Sequence, residues 1–455
     1  MLIFVIGILQ TKITKNIKSF LIAERQHSTA VIVAAITATL ITGGLIFGTT
    51  EKIFQHGLIF YLTLIGIIIS VFIISECIAP KISTFYDCIS IGDIMQKSFG
   101  KEAKIFIGIA SLIQCIMMFS AQISALGYIL SYFFILEYKI SIIFGTTIIV
   151  AYSVFGGIKS ATITDIIQFG ILMIAMPMIC NTGLLHVGGY IPLLQSLPDS
   201  FLYFGISKKE IIKYIGLFFT FIIPTCGPYT IQRLLMTQNT DQAVKAFRYS
   251  ACVILIYYLL IILIALSILV LEPDLEPNIT LPFLIDNFLP SITKIIAISG
   301  LSIIIITSSN AILNAGAMAF VHDIIQGLNK NQLKAKTEIM LAIISSFIIA
   351  TSSVLFTMNF ASILDIILYA NEFWSPIALI PLIIAIYKIK ITKANLFGGI
   401  IAGFLTTIIW KHWSLENILH INGTLPGILA NLIFTIFLYN FKLEQKRLYG
   451  RSREI

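Results

Sequence analysis

The sequence predicts an all-α integral membrane protein of about 12–13 transmembrane helices, and three observations predict it. Of the 455 residues, 58% are hydrophobic and only 11% charged, with a mean hydropathy of +0.96. Apolar runs of spanning length recur along the chain, longer and more numerous than a soluble core requires. Lys and Arg gather on alternate loops, as they do where one side of a membrane is the cytoplasm.

The apolar segments run 29 to 49, 57 to 79, 103 to 135, 139 to 158, 161 to 186, 210 to 236, 244 to 271, 291 to 320, 337 to 357, 361 to 387, 392 to 411 and 424 to 441. About 20 residues at 1.5 Å each cross some 30 Å of hydrocarbon, so these read as twelve spans. Met1 to Gln10 is apolar but too short to cross. A secretory signal would need a positive start and a small-residue cleavage site, and neither is there. The expectation is therefore the end of a first helix whose beginning is missing, a thirteenth span.

With the segment before Thr29 in the cytoplasm, all but Lys52, Lys139, Lys208, Lys209, Lys213, Lys294 and Lys411 of the 30 Lys and Arg fall on the cytoplasmic side. A missed span would invert everything after it, so this bias supports the span order. The net charge of +8 reads as a topology signal, and nucleic acid is not an expected partner. The outer loop carrying Glu272, Asp274, Glu276 and Asp286 is acidic and proline-rich. Asn278-Ile279-Thr280 and Asn422-Gly423-Thr424 match glycosylation triplets, which matter only in a eukaryotic secretory membrane. The six cysteines form no CxxC pair, so neither a disulfide framework nor a metal site is expected.

Two spans carry breaks. Thr42-Gly43-Gly44 interrupts the first complete one, and Pro224-Thr225-Cys226-Gly227-Pro228 interrupts another about five spans later. In hydrocarbon every backbone group must be paired internally, so a helix breaks there only where it faces protein or a wet cavity, and its freed amides and carbonyls become ligands. Interrupted helices at corresponding positions of two halves point to a secondary transporter with its binding site between them. Each break has a plainer reading as well, a proline kink or a glycine packing contact. Thr307-Ser308-Ser309-Asn310 puts hydroxyls mid-span, where two oxygens can meet one hard cation or simply bond back to the helix. Asp165, Asp365 and Glu372 are acids within spans, costly at roughly 2.5 to 3.5 kcal/mol each and so candidates for function. Asp165 alternatively favours a helix N-terminus.

The run Phe155-Gly156-Gly157-Ile158-Lys159-Ser160-Ala161-Thr162-Ile163-Thr164-Asp165-Ile166-Ile167-Gln168 resembles the "GG…A…TD…Q" signature of the sodium:solute symporter family. Phe20 to Arg25 resembles its "FLAGR" stretch, Pro228 to Arg233 the stretch ending in "QR", and Thr307-Ser308 with Asp323 its eighth core helix. The resemblance implies a leucine-transporter-type (LeuT/APC-like) core of 5+5 inverted repeats. The parts would be a partial first helix and cytoplasmic loop (1–28), a first repeat (29–186), an outer loop (187–209), a second repeat (210–387), two accessory helices (388–441) and a basic tail (442–455). It implies a sodium site at the carbonyls of Ala38, Ile41 and Ile304 and the hydroxyls of Thr307 and Ser308, with Asp165 on the ion's exit path. Ala38 and Thr307 lie roughly 14 and 20 Å from their cytoplasmic helix ends, near mid-membrane. Leu40 stands where proline-transporting members carry an aspartate, which weighs against proline; Leu45 and Gly227 stand at positions sugar carriers use for polar groups, which weighs against sugars.

The expected function is sodium-coupled symport of a small organic solute, an amino acid or related zwitterion, by alternating access, with solute contacts at Gly43, Gly44, Thr225, Cys226, Gly227 and Glu372. Na+ is the coupling ion, no resident cofactor is expected, and no enzymatic step is required. One charge moving inward is worth about 2.3 kcal/mol per 100 mV, or roughly 40-fold accumulation. The alternatives are proton coupling through Glu372 or Asp165, a transporter-derived membrane sensor, and a copy that no longer transports. The partners are the solute, Na+ and the bilayer, expected to be a bacterial cytoplasmic membrane; the sequence is silent on oligomeric state.

Overall fold

In the computed structural model, residues 27–156, 159–198, 208–224, 226–329, 331–360 and 362–451 are described, with backbone alone at 155–156, 159–165, 208 and 438–451. The described chain is helical throughout. Its first helices are α1 (Thr29–Leu40), α2 (Gly43–His56) and α3 (Leu58–Ile73), the last running on through a π turn and a 3₁₀ segment to Phe85. Then follow α4 (Ile91–Phe99), α5 (Lys101–Phe134), α6 (Tyr138–Gly156), α7 (Lys159–Val187) and the short α8 (Tyr190–Ser196). The second half holds α9 (Lys208–Ile222), α10 (Pro228–Leu235), α11 (Thr240–Leu271), α12 (Thr280–Phe288), α13 (Ser291–Met318), α14 (Ala335–Thr357) and α15 (Ile363–Ile386). It ends with α16 (Lys393–His412), α17 (Leu415–Leu419) and α18 (Thr424–Arg451).

Among the described residues, eight helices are long and apolar enough to cross a membrane, or nine if the bent pair α1 and α2 counts as one span. This is fewer than the twelve or thirteen spans the sequence predicts. The difference has particular sources: the apolar cores of α6 and α18, Tyr138–Val154 and Thr424–Phe437, are shorter, the segment 210 to 236 is divided into α9 and α10, and residues 1–10 lie outside the described residues. Side chains on lipid-facing positions are apolar, as Ile339, Met340, Phe347 and Leu355 on α14 show, which is the surface a membrane rather than water selects.

Tight turns separate the helices where the chain must reverse. Gly57 and Gly100 adopt φ of 69° and 96°, a left-handed conformation that glycine reaches without strain, and each ends one helix and begins the next. Two short helices fill what reads as loop in sequence. α4 starts at Ser90, whose hydroxyl accepts from the Asp93 amide, and α12 occupies the acidic outer loop. Both glycosylation triplets are built into the fold, with Thr280 and Thr424 buried.

The decisive local event is the interruption between α1 and α2, whose axes meet at 53°. Ile41 closes α1 by donating its amide to Thr37, and Thr42 restarts the helix by accepting the Leu45 amide at 3.2 Å. Glycine follows for a packing reason: a Cβ on Gly43 would sit 2.1 Å from Ile305 Cγ1, and one on Gly44 would sit 2.8 Å from the Gln122 amide nitrogen. The break is thus pressed against both α5 and α13.

Candidate functional site

Thr307 and Ser308 lie buried on α13 facing the end of α1, and two wholly buried glutamines connect them to it. Gln168 on α7 donates to the Ala38 carbonyl at 3.4 Å and accepts from the Thr307 hydroxyl. Gln122 on α5 accepts from Ser308 at 3.2 Å and from the Gly44 amide at 3.0 Å, and donates to Thr42 at 3.0 Å. Thr307 and Ser308 also donate back along their own helix, Ser308 to the Ile304 carbonyl at 2.8 Å. Both readings of the hydroxyl run therefore meet at one place. The oxygens of Ala38, Thr307, Ser308 and Ile304 fit the all-oxygen chemistry a sodium ion prefers.

Beside this cluster the break opens on a cavity of about 90 Å³. Thr39, Leu40, Thr42 and Leu45 supply one wall, Met118, Tyr229 and Tyr258 a second, and Leu364, Ile367, Asn371 and Ser375 of α15 a third. Four residues of this lining carry a buried polar atom that makes no hydrogen bond to any described group: Tyr258 Oη, Asn371 Oδ1, Ser375 Oγ and Thr424 Oγ1. Buried polar groups are nearly always paired, so four such residues around one cavity make it the candidate place for a bound solute. α10 begins here too, with no side chain capping its N-terminus. Arg233 of α10, assigned to the cytoplasmic loops by its place in sequence, is instead buried and donates to Thr39 at 2.9 Å.

The residues expected to meet solute are dispersed. Gly43 and Gly44 are buried against Ile305 and Gln122 rather than lining the cavity, and Cys226 and Gly227 are buried just ahead of α10, where Tyr229 takes the wall. Glu372 points the other way. One carboxylate oxygen accepts the Gly423 amide at 2.6 Å and the other pairs with Lys411 at 2.8 Å, while the Lys411 ammonium sits 3.9 Å from the Tyr369 ring centre. Asp365 pairs with Lys52 at 3.1 Å. Thr225 and the Asp165 side chain lie outside the described residues.

Sequence reasoning missed Gln122, Gln168, Tyr258, Asn371 and Ser375. A signal existed for some of them: Leu364, Ile367, Asn371 and Ser375 fall at helical spacing on one face, as do Gln114, Met118 and Gln122. Also missed was a group at the ends of α4, α5 and α13. There Asp93 Oδ1 lies 2.7 Å from Lys104 Nζ and 2.9 Å from His322 Nε2, and Ser90 donates to Asp323 at 2.6 Å. Burial pushes the Asp93 carboxyl up, but His322 and Lys104 overcome it and hold it well below the usual carboxylate range. The Asp93, His322 and Asp323 ligand atoms lie within 4.8 Å of one another, but Lys104 already supplies the positive charge between them.

A helical membrane bundle with a broken span, beside buried oxygens and a small, mostly apolar cavity with a few polar groups, defines the class of ion-coupled secondary transporters. Residues 20–403 match the sodium:solute symporter family, and the chain belongs to that family. It is 23% identical to an osmoregulated proline transporter of Bacillus subtilis, with 94% of this chain and 90% of that one covered. It is 22% identical to a sodium/proline symporter of Staphylococcus aureus, covering 93% and 87%. In fold it is similar to a Na+-coupled sialic acid symporter solved in a substrate-bound outward-open state (TM-score 0.79, 14% identity, 96% and 95% covered). It also resembles the nucleobase-cation-symport-1 transporter Mhp1 in a closed conformation (TM-score 0.61, 13% identity, 94% and 95% covered). The protein is a transporter, not an enzyme: a multi-pass membrane protein that couples the symport of a small organic solute to sodium. Its bacterial relatives place it in a bacterial cytoplasmic membrane.

Proposed function

We propose that the solute is a small amino acid, held in the cavity at the α1–α2 break, and that sodium is held by the carbonyls of Ala38, Ile41 and Ile304 with the hydroxyls of Thr307 and Ser308. The observation that carries this reading is that Tyr258, Asn371, Ser375 and Thr424 all line one cavity, each with a buried polar atom that no described group answers, while Thr42 in its wall is tied through Gln122 to Ser308. Sodium on the Ser308 oxygen and the Ile304 carbonyl turns the Ser308 hydroxyl proton away from Ile304 and toward Gln122, so ion and solute act on the same short hydrogen-bonded chain. The solute carboxylate faces the helix N-termini at Thr42 and Gly227, where backbone dipoles favour negative charge, and its ammonium faces Asn371 Oδ1. The relatives named as proline transporters support an amino-acid solute, and Leu40 leaves the wall without a charge at that point.

The frame for this is a pair of inverted five-helix repeats, 29–186 and 210–387, with α1–α2 and α9–α10 as matching broken helices and α16 and α18 as accessory helices. Rocking one set of helices against the other opens the cavity to each side in turn, and Asp165 lies on the ion's inward exit. The experiment is uptake of labelled amino acids, proline among them, into proteoliposomes under separate sodium and proton gradients. Sodium-driven uptake that Thr307→Ala and Ser308→Ala abolish, and that Asn371→Ala weakens through KM, is the expected result. Uptake that follows protons and survives both hydroxyl changes overturns it.

A further inference from the structure

A second cavity, of about 330 Å³, lies on the side of the solute cavity that the loop charges assign to the outside, and Leu364 lines both. Its walls carry six charged side chains. Four of them are paired off, Lys52 with Asp365 and Lys411 with Glu372. The remaining two, Lys213 of α9 and Glu416 of α17, line the same space, and among the described residues neither makes an ion pair. Glu416 and Lys213 are both exposed, and the partial loss of water around Glu416, followed by the nearby Glu372 carboxylate, raises its carboxyl above the ordinary range against the pull of Lys411 and Lys213. Glu416 therefore gains from any further positive charge brought beside it.

We infer that this outer cavity is an entry site for a zwitterion, in which Lys213 receives the solute carboxylate and Glu416 its ammonium before the solute passes Leu364 to the inner cavity. One free charge of each sign in a cavity of ligand size selects a ligand carrying both and disfavours a simple anion or cation, each of which leaves one protein charge unanswered. His56 and the two standing ion pairs complete a wall of mixed sign that repels neither end of such a solute. The entry site rests on the amino-acid reading above and adds the charge rule by which the solute is admitted.

The test uses the full chain in proteoliposomes with a sodium gradient and labelled L-proline, L-alanine and L-serine. In Lys213→Gln and in Glu416→Gln, KM rises about threefold with maximal uptake kept, and neutralising both raises it about tenfold, the size expected for exposed charge pairs. The exchanged double variant, Lys213→Glu with Glu416→Lys, recovers most of the lost KM, because a zwitterion can enter turned about, while the melting temperature in detergent stays the same in all four variants, which loss of a structural attraction between the two side chains would not allow. Wild-type uptake with unchanged KM in both single variants, or an exchange no better than the double neutralisation, overturns the entry site and leaves the amino-acid reading standing. Absence of uptake of all three amino acids by the wild type overturns both.

Discussion

Gln122 makes more of this site than any residue the sequence marks for it. Its one amide holds the Gly44 N–H, the Thr42 hydroxyl and the Ser308 hydroxyl, which belong to the break, the proposed solute cavity and the proposed ion site in turn. Replacing it with a hydrocarbon of similar shape strands buried polar groups at about 1–3 kcal/mol each, so the loss spreads to all three. Gln122→Leu is therefore expected to raise the sodium concentration for half-maximal uptake by tenfold or more. In a double-mutant cycle with Thr42→Ala, the coupling on sodium dependence is expected at about 0.5–3 kcal/mol. Additive effects in that cycle would show that Gln122 does not link solute wall to ion.

At the scale of the element, α15 does two jobs on two faces. Leu364, Ile367, Asn371 and Ser375 face the cavity, while Glu372, one residue round the helix, clamps α15 to Lys411 of α16 and to the Gly423 amide ahead of α18. Removing one partner of a buried ion pair costs roughly 3–5 kcal/mol, but Lys411 is 36% exposed and can turn to water, which lowers the cost to about 2 kcal/mol. Glu372→Ala is expected to lower the thermal melting temperature in detergent, with Lys411→Met in addition recovering part of it, while Asn371→Ala changes solute KM with little change in melting. A Glu372→Ala protein of unchanged melting but lost solute affinity would return Glu372 to the solute site. The hairpin it anchors is itself tight: a Cβ on Gly399 would meet Thr435, and one on Gly427 would meet Thr407.

For the whole molecule, the broken span leans on α5 and α13 at one level, so an ion held at the proposed site acts on the relative placement of helices far apart in sequence. A ligand that binds only the folded state stabilises it by about 2.7 kcal/mol at a hundred times its dissociation constant. Sodium chloride, and not choline or potassium chloride at equal ionic strength, is expected to raise the melting temperature of the detergent-solubilised protein, and Thr307→Ala with Ser308→Ala is expected to erase the rise. An equal rise with all three salts would assign the effect to screening rather than to a site.

By itself the sequence determined the membrane class, both interruptions and the hydroxyls at Thr307 and Ser308. Each of these is local: hydropathy, glycine, proline and hydroxyl content act within one helix turn or one span. Only the tertiary structure decided that Gly43 and Gly44 are packing glycines, that Glu372 is a clamp, that Gln122 joins Thr42 to Ser308, and that Tyr258, Asn371 and Ser375 line one cavity. Those outcomes depend on which face of each helix turns toward which neighbour. Inside a membrane nearly every position is apolar on all sides, so the amphipathic pattern that fixes helix rotation in a soluble protein is faint. A neutral amide or hydroxyl then carries no mark of whether it pairs with its own helix, a neighbour or a solute until the helices are assembled.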